Sequence, residues 1–398
     1  MNGLFGDWAN LLLRWTHFIA GIAWIGSSFY FIWLDRALGA PRQPRPGVEG
    51  EVWMVHSGGF YQTEKRRPGP GEMPAVLHWF KWEALITWIT GIALLALIYY
   101  LSDAYLLDPA VSSIGRGAAT AFGLALLLVG WVVYDLLWRS PLAETSAGGI
   151  ATAISLALLT AVTVAACRFL SGRAAYMQVG ALLGTLMVAN VWMRILPAQQ
   201  AMIDATKAGR QPDFTLGEHA KRRSVHNSYM TLPLLFIMVS NHYPRTYASP
   251  LNWLVLLLLF VAGAAARHVM IGRGSSARWA LVPAAAALAG AIFVSAPRSV
   301  ASPVAAAGAA PPPTFAAVRG VVVQRCLPCH SRFPSDPTFG AAPAGVAFDT
   351  PEGIARVAER IRVRAVDTET MPLGNRTGMT PEERVLLARW IAAGAPLR

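Results

Sequence analysis

The chain is poor in charged residues and in cysteine. Of its 398 residues, 14% are Asp, Glu, Lys or Arg and 54% are hydrophobic, whereas ordinary soluble domains are about 25% charged. Its three cysteines exclude a disulfide-rich scaffold. Low charge together with long apolar runs predicts a protein that crosses a membrane several times.

A formal net charge of +12 raises the possibility of nucleic-acid binding. The basic residues, however, lie in short loops between apolar runs rather than along one face of a soluble domain. Membrane topology explains this distribution better. We therefore expect membrane lipid, and no nucleic acid, among the partners.

Apolar runs of about the 20 residues that a bilayer requires occur eight times. They lie at 8–33, 77–101, 118–138, 147–170, 174–196, 226–242, 250–270 and 279–296. Trp and Tyr cluster near their ends, as in an interfacial aromatic belt. The pattern predicts an all-α fold, a polytopic bundle of about eight transmembrane helices.

A short motif near the C-terminus indicates a redox cofactor. Cys326, Cys329 and His330 form C-x-x-C-H, the attachment signature of c-type haem. The two thiols would form thioethers to the porphyrin, and the histidine would be the proximal ligand of the iron. The alternatives are a thioredoxin-like dithiol and half of a zinc site. No βαβ pattern surrounds the motif, and no second Cys pair completes a zinc tetrahedron.

The second axial ligand of this haem is expected downstream of the motif. No histidine follows His330, which leaves Met371 and Met379. Met371 precedes Pro372 in a glycine-containing loop that can bring the thioether over the iron. Met379 abuts the last predicted helix, where packing is the alternative role. We predict that Met371 is the ligand, and a His/Met pair raises the potential.

The chain divides into three predicted parts: a membrane domain (1–298), an Ala/Pro-rich linker (299–313) and a class I-like cytochrome c domain (314–398). In the last part, helices are expected at about 315–325, 351–365 and 381–393. Thr380-Pro381-Glu382-Glu383 has the pattern of a capping box that begins the third helix.

Lys and Arg residues predict the orientation of the bundle. The loops and helix ends on one side hold fifteen of them and those on the other side five. Under the positive-inside rule both termini face outward. The C-terminal domain then lies on the periplasmic side of a bacterial inner membrane, where c-type haem is attached.

Ionisable groups at membrane depth are expensive and are candidates for function. At 1.5 Å per residue, polar side chains of several predicted helices lie in the cytoplasmic half of the bundle. The catalytic candidates there are His78, Glu83 and His226, and the substrate-binding candidates are Trp82, Asn190 and Arg194. The alternative for the charged residues is an interfacial, snorkelling role.

Two of the catalytic candidates stand out by their predicted depth. Glu83 lies about 9 Å inside a helix expected to begin at about Leu77, where a carboxylate can act as a general base. His17 lies in the middle of the first predicted helix. It is either an interhelical hydrogen-bond partner, a member of the site, or a ligand of a second, non-covalent haem.

Two stretches carry a family resemblance, RWTHFIAGIAWIGSSFYF at 14–31 and HWFKWE at 78–83. They resemble the membrane domain of bacterial cytochrome c-coupled urate oxidases, also called urate hydroxylases. The C-x-x-C-H motif and the Met371-Pro372 loop are similar to their fused cytochrome. The resemblance implies oxidation of urate to 5-hydroxyisourate. It also implies that electrons pass to the fused haem and on to a downstream cytochrome c or terminal oxidase.

Two other classes of function remain open. One is a quinol or other small-molecule dehydrogenase that reduces its own cytochrome. A pair of histidines 13 or 14 residues apart on one helix would favour it, and helices six and seven supply no such pair. The other is a transporter or assembly factor whose cytochrome serves as a redox sensor.

Overall fold

A computed structural model describes residues 4–101, 103–144, 148–272, 275–296 and 311–397. The helices before residue 297 are α1 (Leu4–Ala37), α2 (Trp82–Leu95), α3 (Asp103–Leu106), α4 (Arg116–Leu137), α5 (Gly149–Phe169), α6 (Gly172–Asn190), α7 (Leu196–Lys207), α8 (Phe214–Ser240), α9 (Pro244–Tyr247), α10 (Asn252–Ile271) and α11 (Leu281–Ser295). Two π-helical turns follow α2 and α6, at Ala96–Tyr100 and Val191–Ile195.

Among the described residues, seven helices are long and apolar enough to cross a membrane. The predicted run 226–242 is the exception, because it forms the second half of α8, whose first half is polar. The second predicted span also differs, since α2 begins at Trp82 and residues 77–81 are not helical. Of the about eight predicted spans, seven are therefore confirmed as helices of sufficient length and hydropathy.

The core of the bundle centres on α6, which contacts α2, α4, α5 and α8. Tyr176, Leu183 and Ile237 are each no more than 1% exposed. A side chain at Gly180 would place its Cβ 2.6 Å from the Cγ2 atom of Ile237. Glycine at this position therefore allows α6 and α8 to approach closely, as small residues do between membrane helices.

The loop between α1 and α2 corrects the all-α prediction. It contains an antiparallel hairpin of β1 (Val48–His56) and β2 (Gly59–Arg66). Ser57 and Gly58 connect the strands, both with positive φ, which is the geometry of a two-residue turn matched to strand twist. The fold is helical with one two-stranded sheet.

The C-terminal part has a core of its own. Its helices are α12 (Phe315–Arg325), α13 (Pro351–Arg356), α14 (Ala358–Ile361) and α15 (Pro381–Ala392), with a π-helical turn at Arg362–Asp367. Val318, Leu387 and Trp390 are fully buried in this core. The helix expected at 351–365 is interrupted at Val357, between α13 and α14. Most of the predicted linker, 299–310, lies outside the described residues.

The capping box predicted for the last helix is confirmed. The Thr380 side chain accepts from the backbone N–H of Glu383, and the Glu383 carboxylate accepts from the backbone N–H of Thr380. Arg325 donates to the same carboxylate. Burial opposes ionisation of Glu383, but these hydrogen bonds hold its pKa below the usual value.

The C-terminal part contacts the helix bundle near α3 and α9. Arg245 lies 3.2 Å from the carboxylate of Asp367, and Arg364 donates to the hydroxyl of Tyr247 at 2.9 Å. The turn Leu373–Asn375 packs against α3. This surface lies at the end of the bundle where α2 ends and α10 begins.

Candidate functional site

A buried ion-pair group lies where α4 ends. The Asp135 side chain is enclosed, and its Oδ1 accepts from Nε of Arg194 at 2.7 Å and from Nη2 of Arg223 at 2.9 Å. Nη2 of Arg194 bonds its second oxygen. One carboxylate thus lies between two guanidinium groups, so the group keeps an excess of positive charge.

Neutral polar side chains extend this group. Asn190 is fully buried and donates to the hydroxyl of Tyr134 at 3.0 Å and to Oδ1 of Asn227 at 2.9 Å. The Tyr134 hydroxyl also lies 2.8 Å from Nδ1 of His226. The residues Tyr134, Asp135, Asn190, Arg194, Arg223, His226 and Asn227 are called the Asp135 network below.

Helical spacing explains why these residues meet. His226 and Asn227 follow Arg223 by three and four positions, so the three side chains share one face of α8. Asn190 ends α6, and Arg194 lies in the π-helical turn that follows. Such turns often occur at functional sites because they redirect side chains. Here Arg194 contacts α4 while Trp192, two positions earlier, contacts α2.

Aromatic side chains surround the Lys81 cation, and one of them, Trp192, belongs to the same π-helical turn as Arg194. The ammonium of Lys81 lies 5.4, 5.6 and 5.7 Å from the ring centroids of Trp79, Trp82 and Trp192, within the range of cation–π attraction. The Trp82 and Trp192 rings meet edge to face at 5.5 Å. These four residues are called the tryptophan cluster. About half of the Trp82 side chain is exposed.

A cavity of about 320 Å³ adjoins this cluster. Among its lining residues are His78, Trp79, Gln199, Met202 and Phe214. Ligand pockets begin at about 300 Å³, so the cavity has room for a small planar molecule. Trp79 belongs both to the cavity wall and to the tryptophan cluster.

The structure brings together some predicted site residues and separates others. Asn190, Arg194 and His226 lie in one network. His78 precedes α2, where its ring packs 4.7 Å from that of Phe80. Glu83 is half-buried in the first turn of α2, which begins at Trp82. The prediction that it lies about 9 Å inside a helix that begins at Leu77 is therefore wrong. No ion pair or hydrogen bond of its carboxylate occurs within the described part of the chain.

His17 lies on α1 and bonds α2. Its Nδ1 atom is 2.9 Å from the carbonyl oxygen of Thr87 and 3.1 Å from the hydroxyl of Thr90. Gly91 makes room for the ring, since a Cβ there would lie 3.0 Å from Cε1 of His17. The interhelical hydrogen bond that the sequence allowed is present.

The C-x-x-C-H segment follows α12 directly. Nδ1 of His330 lies 2.9 Å from the carbonyl oxygen of Val346, which leaves Nε2 available. Metal-binding histidines are commonly oriented in this way. Burial raises the pKa of the Cys326 thiol to about 12 and that of Cys329 to about 11. Reactive dithiols have lowered thiol pKa values, so this environment disfavours a thioredoxin-like role.

The two candidate methionines differ in their surroundings. Met379 is 3% exposed and belongs to the core of the C-terminal part. Met371 is only partly buried, its N–H donates to the carbonyl of Arg364, and its own carbonyl accepts from Arg384. Met379 is thus packed in the core, whereas the assignment of Met371 as the second axial ligand stays a prediction.

The described residues contain no group of three or more His, Cys, Asp or Glu side chains able to hold a metal ion together. A c-type haem needs no such group, because two thioethers, one histidine and one methionine hold it. Cys326, Cys329, His330 and Met371 supply these donors, so the residues present fit the group.

Sequence reasoning did not select four members of the Asp135 network as site residues, namely Tyr134, Asp135, Arg223 and Asn227. For Asp135 and Arg223 a signal was present. Asp135 is a lone carboxylate near the end of an apolar run, and Arg223 lies one helical turn before His226. Their mutual contact depends on the packing of α4 against α8.

The helix bundle, with polar side chains buried at one end, is compatible with a membrane enzyme. The family model described as urate oxidase N-terminal matches residues 3–296, most of the chain. The chain therefore belongs to this family, which suggests an oxidoreductase that oxidises urate. Neither the curated proteins nor the solved structures contain a match.

Proposed function

We propose that this protein oxidises urate to 5-hydroxyisourate in its helix bundle and passes the electrons to a haem c in its C-terminal domain. From there they would reach a downstream cytochrome c or terminal oxidase. The observation that carries the proposal is the family match over residues 3–296. The fit of Cys326, Cys329, His330 and Met371 to haem c supports the choice of electron acceptor.

In the proposed reaction, urate and one water yield 5-hydroxyisourate, two electrons and two protons. When bound, haem c supplies one-electron acceptance, which removes the need for oxygen as the oxidant. Hydrogen peroxide is then not a product. The helix bundle has to bind the substrate, hold a water beside it and accept a proton.

Urate is a planar anion with carbonyl and N–H edges. It needs positive charge, hydrogen-bonding groups and an aromatic face. The Asp135 network provides the positive charge and the hydrogen-bonding groups, the tryptophan cluster provides the aromatic faces, and the two share the π-helical turn of Trp192 and Arg194. We assign substrate binding to Trp82, Asn190 and Arg194, and the cavity beside Trp79 is the proposed approach.

Three side chains are candidates for the proton acceptor. His78 lines the cavity. His226 is engaged through Nδ1 by Tyr134, which fixes its orientation. Glu83 is half-buried next to Trp82, and no partner occupies its carboxylate among the described residues. A carboxylate with free oxygens can accept a proton from substrate or water, so we assign Glu83 as the base, with His78 and His226 as alternatives.

The proposed location is the bacterial inner membrane, with the C-terminal domain in the periplasm. The distribution of Lys and Arg supports this orientation, which requires the 27-residue helix α8 to be the eighth span. The domain contacts α3 and α9 at one end of the bundle, and the Asp135 network lies at the other end of α4, α6 and α8. Substrate oxidation and electron exit would therefore occur at opposite ends.

The test is a haem spectrum. Purified, oxidised, haem-loaded protein under anaerobic conditions should be reduced by urate, with 5-hydroxyisourate formed in a ratio of one to two haems. Xanthine, which lacks the 8-oxo group, is the matched control. Reduction by a quinol but not by urate would instead assign the chain to quinol dehydrogenases. Reduction by neither would reject both.

A further inference from the structure

Arg267 is a buried cation with spare hydrogen-bonding capacity. It lies near the end of α10 and is 2% exposed. Its Nε donates to the hydroxyl of Ser228 on α8 at 2.9 Å, and its guanidinium carbon lies 3.8 Å from the ring centroid of Phe29 on α1. Its Nη2 is enclosed and has no hydrogen-bond partner.

Its charge sets it apart from comparable residues. Three arginines are buried among the described residues: Arg223, Arg267 and Arg384. Arg223 pairs with Asp135, and Arg384 lies 3.5 Å from Glu369. No carboxylate of the described chain lies within ion-pair distance of Arg267. An unpaired buried cation is unfavourable, so its presence points to an anion that binds there.

A snorkelling role does not account for this residue. A snorkelling arginine keeps its guanidinium in water, whereas this one is enclosed. A purely packing role does not require a charge. The Phe29 ring covers one face of the guanidinium and Ser228 fixes its orientation, while Nη2 has no hydrogen-bond partner. A guanidinium held in this way is a rigid fork, which matches two adjacent acceptors on a planar anion.

The position of Arg267 relates it to the proposed site. Ser228 follows Asn227, which belongs to the Asp135 network and bonds Asn190. Neighbouring residues of α8 therefore contact α6 on one side and α10 on the other. The carboxylate of Asp135 accepts hydrogen bonds from Nε and Nη2 of Arg194 and compensates much of its charge. Arg194 therefore attracts an anionic substrate less strongly.

We infer that Arg267, oriented by Ser228 and Phe29, binds the anionic edge of a planar heterocyclic substrate, which is urate under the proposed function. The inference deepens that function, since it names a substrate-binding residue that the depth argument from the sequence did not select.

The first experiment measures binding without turnover. Full-length, haem-loaded protein reduced with dithionite cannot accept electrons, so binding of radiolabelled urate is measured by equilibrium dialysis. Arg267→Met should weaken this binding at least tenfold, and Arg267→Lys should restore part of it through charge alone. The matched control is Arg36→Gln, because Arg36 is an exposed arginine that bonds the last turn of α10. It should bind urate normally.

The second experiment separates a binding role from a structural one. Methionine has a similar length and no charge, and its substitution removes the desolvation cost of a buried cation that has no counter-charge. Arg267→Met should therefore unfold at the same temperature as the wild type or higher in the absence of urate. It should also lose most of the thermal shift that urate produces in the wild type.

The outcomes distinguish this inference from the proposed function. Normal urate binding by Arg267→Met, or a destabilised variant with unchanged affinity, overturns the role of Arg267 and leaves urate oxidation standing. If urate binding depends on Arg267 but urate does not reduce the haem of the wild type, the proposed electron transfer is rejected and the binding role of Arg267 stands. A wild type that binds no urate rejects both.

Discussion

Nη1 of Arg364 lies 2.9 Å from the hydroxyl of Tyr247, and this bond joins the C-terminal domain to the helix bundle. The backbone carbonyl of Arg364 also accepts from the N–H of Met371. One residue therefore contacts both the bundle and the loop of the proposed axial ligand. The ring of Tyr247 in turn packs at 6.4 Å against that of Tyr176, which is fully buried. The docking surface is thus anchored in the core of the bundle.

Reversing a charge at this interface should slow electron transfer between the two domains. Arg245→Glu places two carboxylates together where Arg245 and Asp367 now pair, and Asp367→Arg in the same protein should restore much of the rate. We expect about a tenfold loss of urate-driven haem reduction in the single variant, the scale of a lost charge-assisted contact.

Stopped-flow absorbance checks this prediction, with ascorbate as a reductant that reaches the haem directly. Ascorbate reduction should be equal in all variants. Arg319→Glu, at an exposed position of α12, is the matched control. If Arg245→Glu transfers electrons as fast as the control, the docking contact has no part in the pathway.

Removing one thiol should abolish covalent haem attachment. Cys329→Ala leaves a single thioether donor, whereas Cys167→Ala changes a cysteine buried in α5 and should not affect the haem. A haem stain on a denaturing gel reads both variants. Wild-type staining of Cys329→Ala would refute the assignment of the motif.

Substitution of each methionine should show which one binds the haem iron and which one packs in the core. Met371→Ala should keep the haem but lose the long-wavelength sulfur–iron band and lower the potential. Met379→Ala should keep the band and destabilise the C-terminal domain by about 2–5 kcal/mol, because it leaves a cavity in the core. An absorption spectrum and thermal unfolding test the pair. The reverse pattern would identify Met379 as the ligand.

Asp135→Asn should destabilise the bundle. It leaves the buried Arg223 and the partly exposed Arg194 without their counter-charge, and loss of one partner of a buried ion pair costs about 3–5 kcal/mol. Thermal unfolding in detergent measures the loss. Asp204→Asn, at an exposed position of α7, should unfold like the wild type. Equal stability of the two variants would show that the network contributes nothing to folding.

Glu83→Gln should leave the protein inserted and haem-loaded but lower urate-driven haem reduction by about 100-fold, the scale of a lost general base. The amide keeps the size of the side chain and removes its ability to accept the proton. Stopped-flow measurement on this variant is compared with Glu144→Gln, an exposed carboxylate after α4. A fully active Glu83→Gln would end the catalytic assignment and favour His78 or His226.

Local features of the chain predicted much of the fold. Apolar runs identified seven spanning helices, and Thr380 with Glu383 identified the start of the last helix, because both signals depend on residues close together in sequence. The hairpin at 48–66 was missed, although Ser57-Gly58 lies between two runs rich in strand-forming residues. The start of α2 was misplaced because apolar residues before Trp82 resemble a continuing span.

Long-range contacts could not be obtained in this way. Depth along the predicted helices placed Arg194, Asn190 and His226 at one end of the bundle, but which carboxylate neutralises which arginine depends on how the helices pack. Asp135 lies between Arg194 and Arg223 because α4, α6 and α8 meet there, and Arg267 has no such neighbour on α1 or α8. Hydropathy and spacing report the depth of each residue along its own helix, whereas the partner of a buried charge depends on the rotation and crossing of other helices, which only packing in three dimensions establishes.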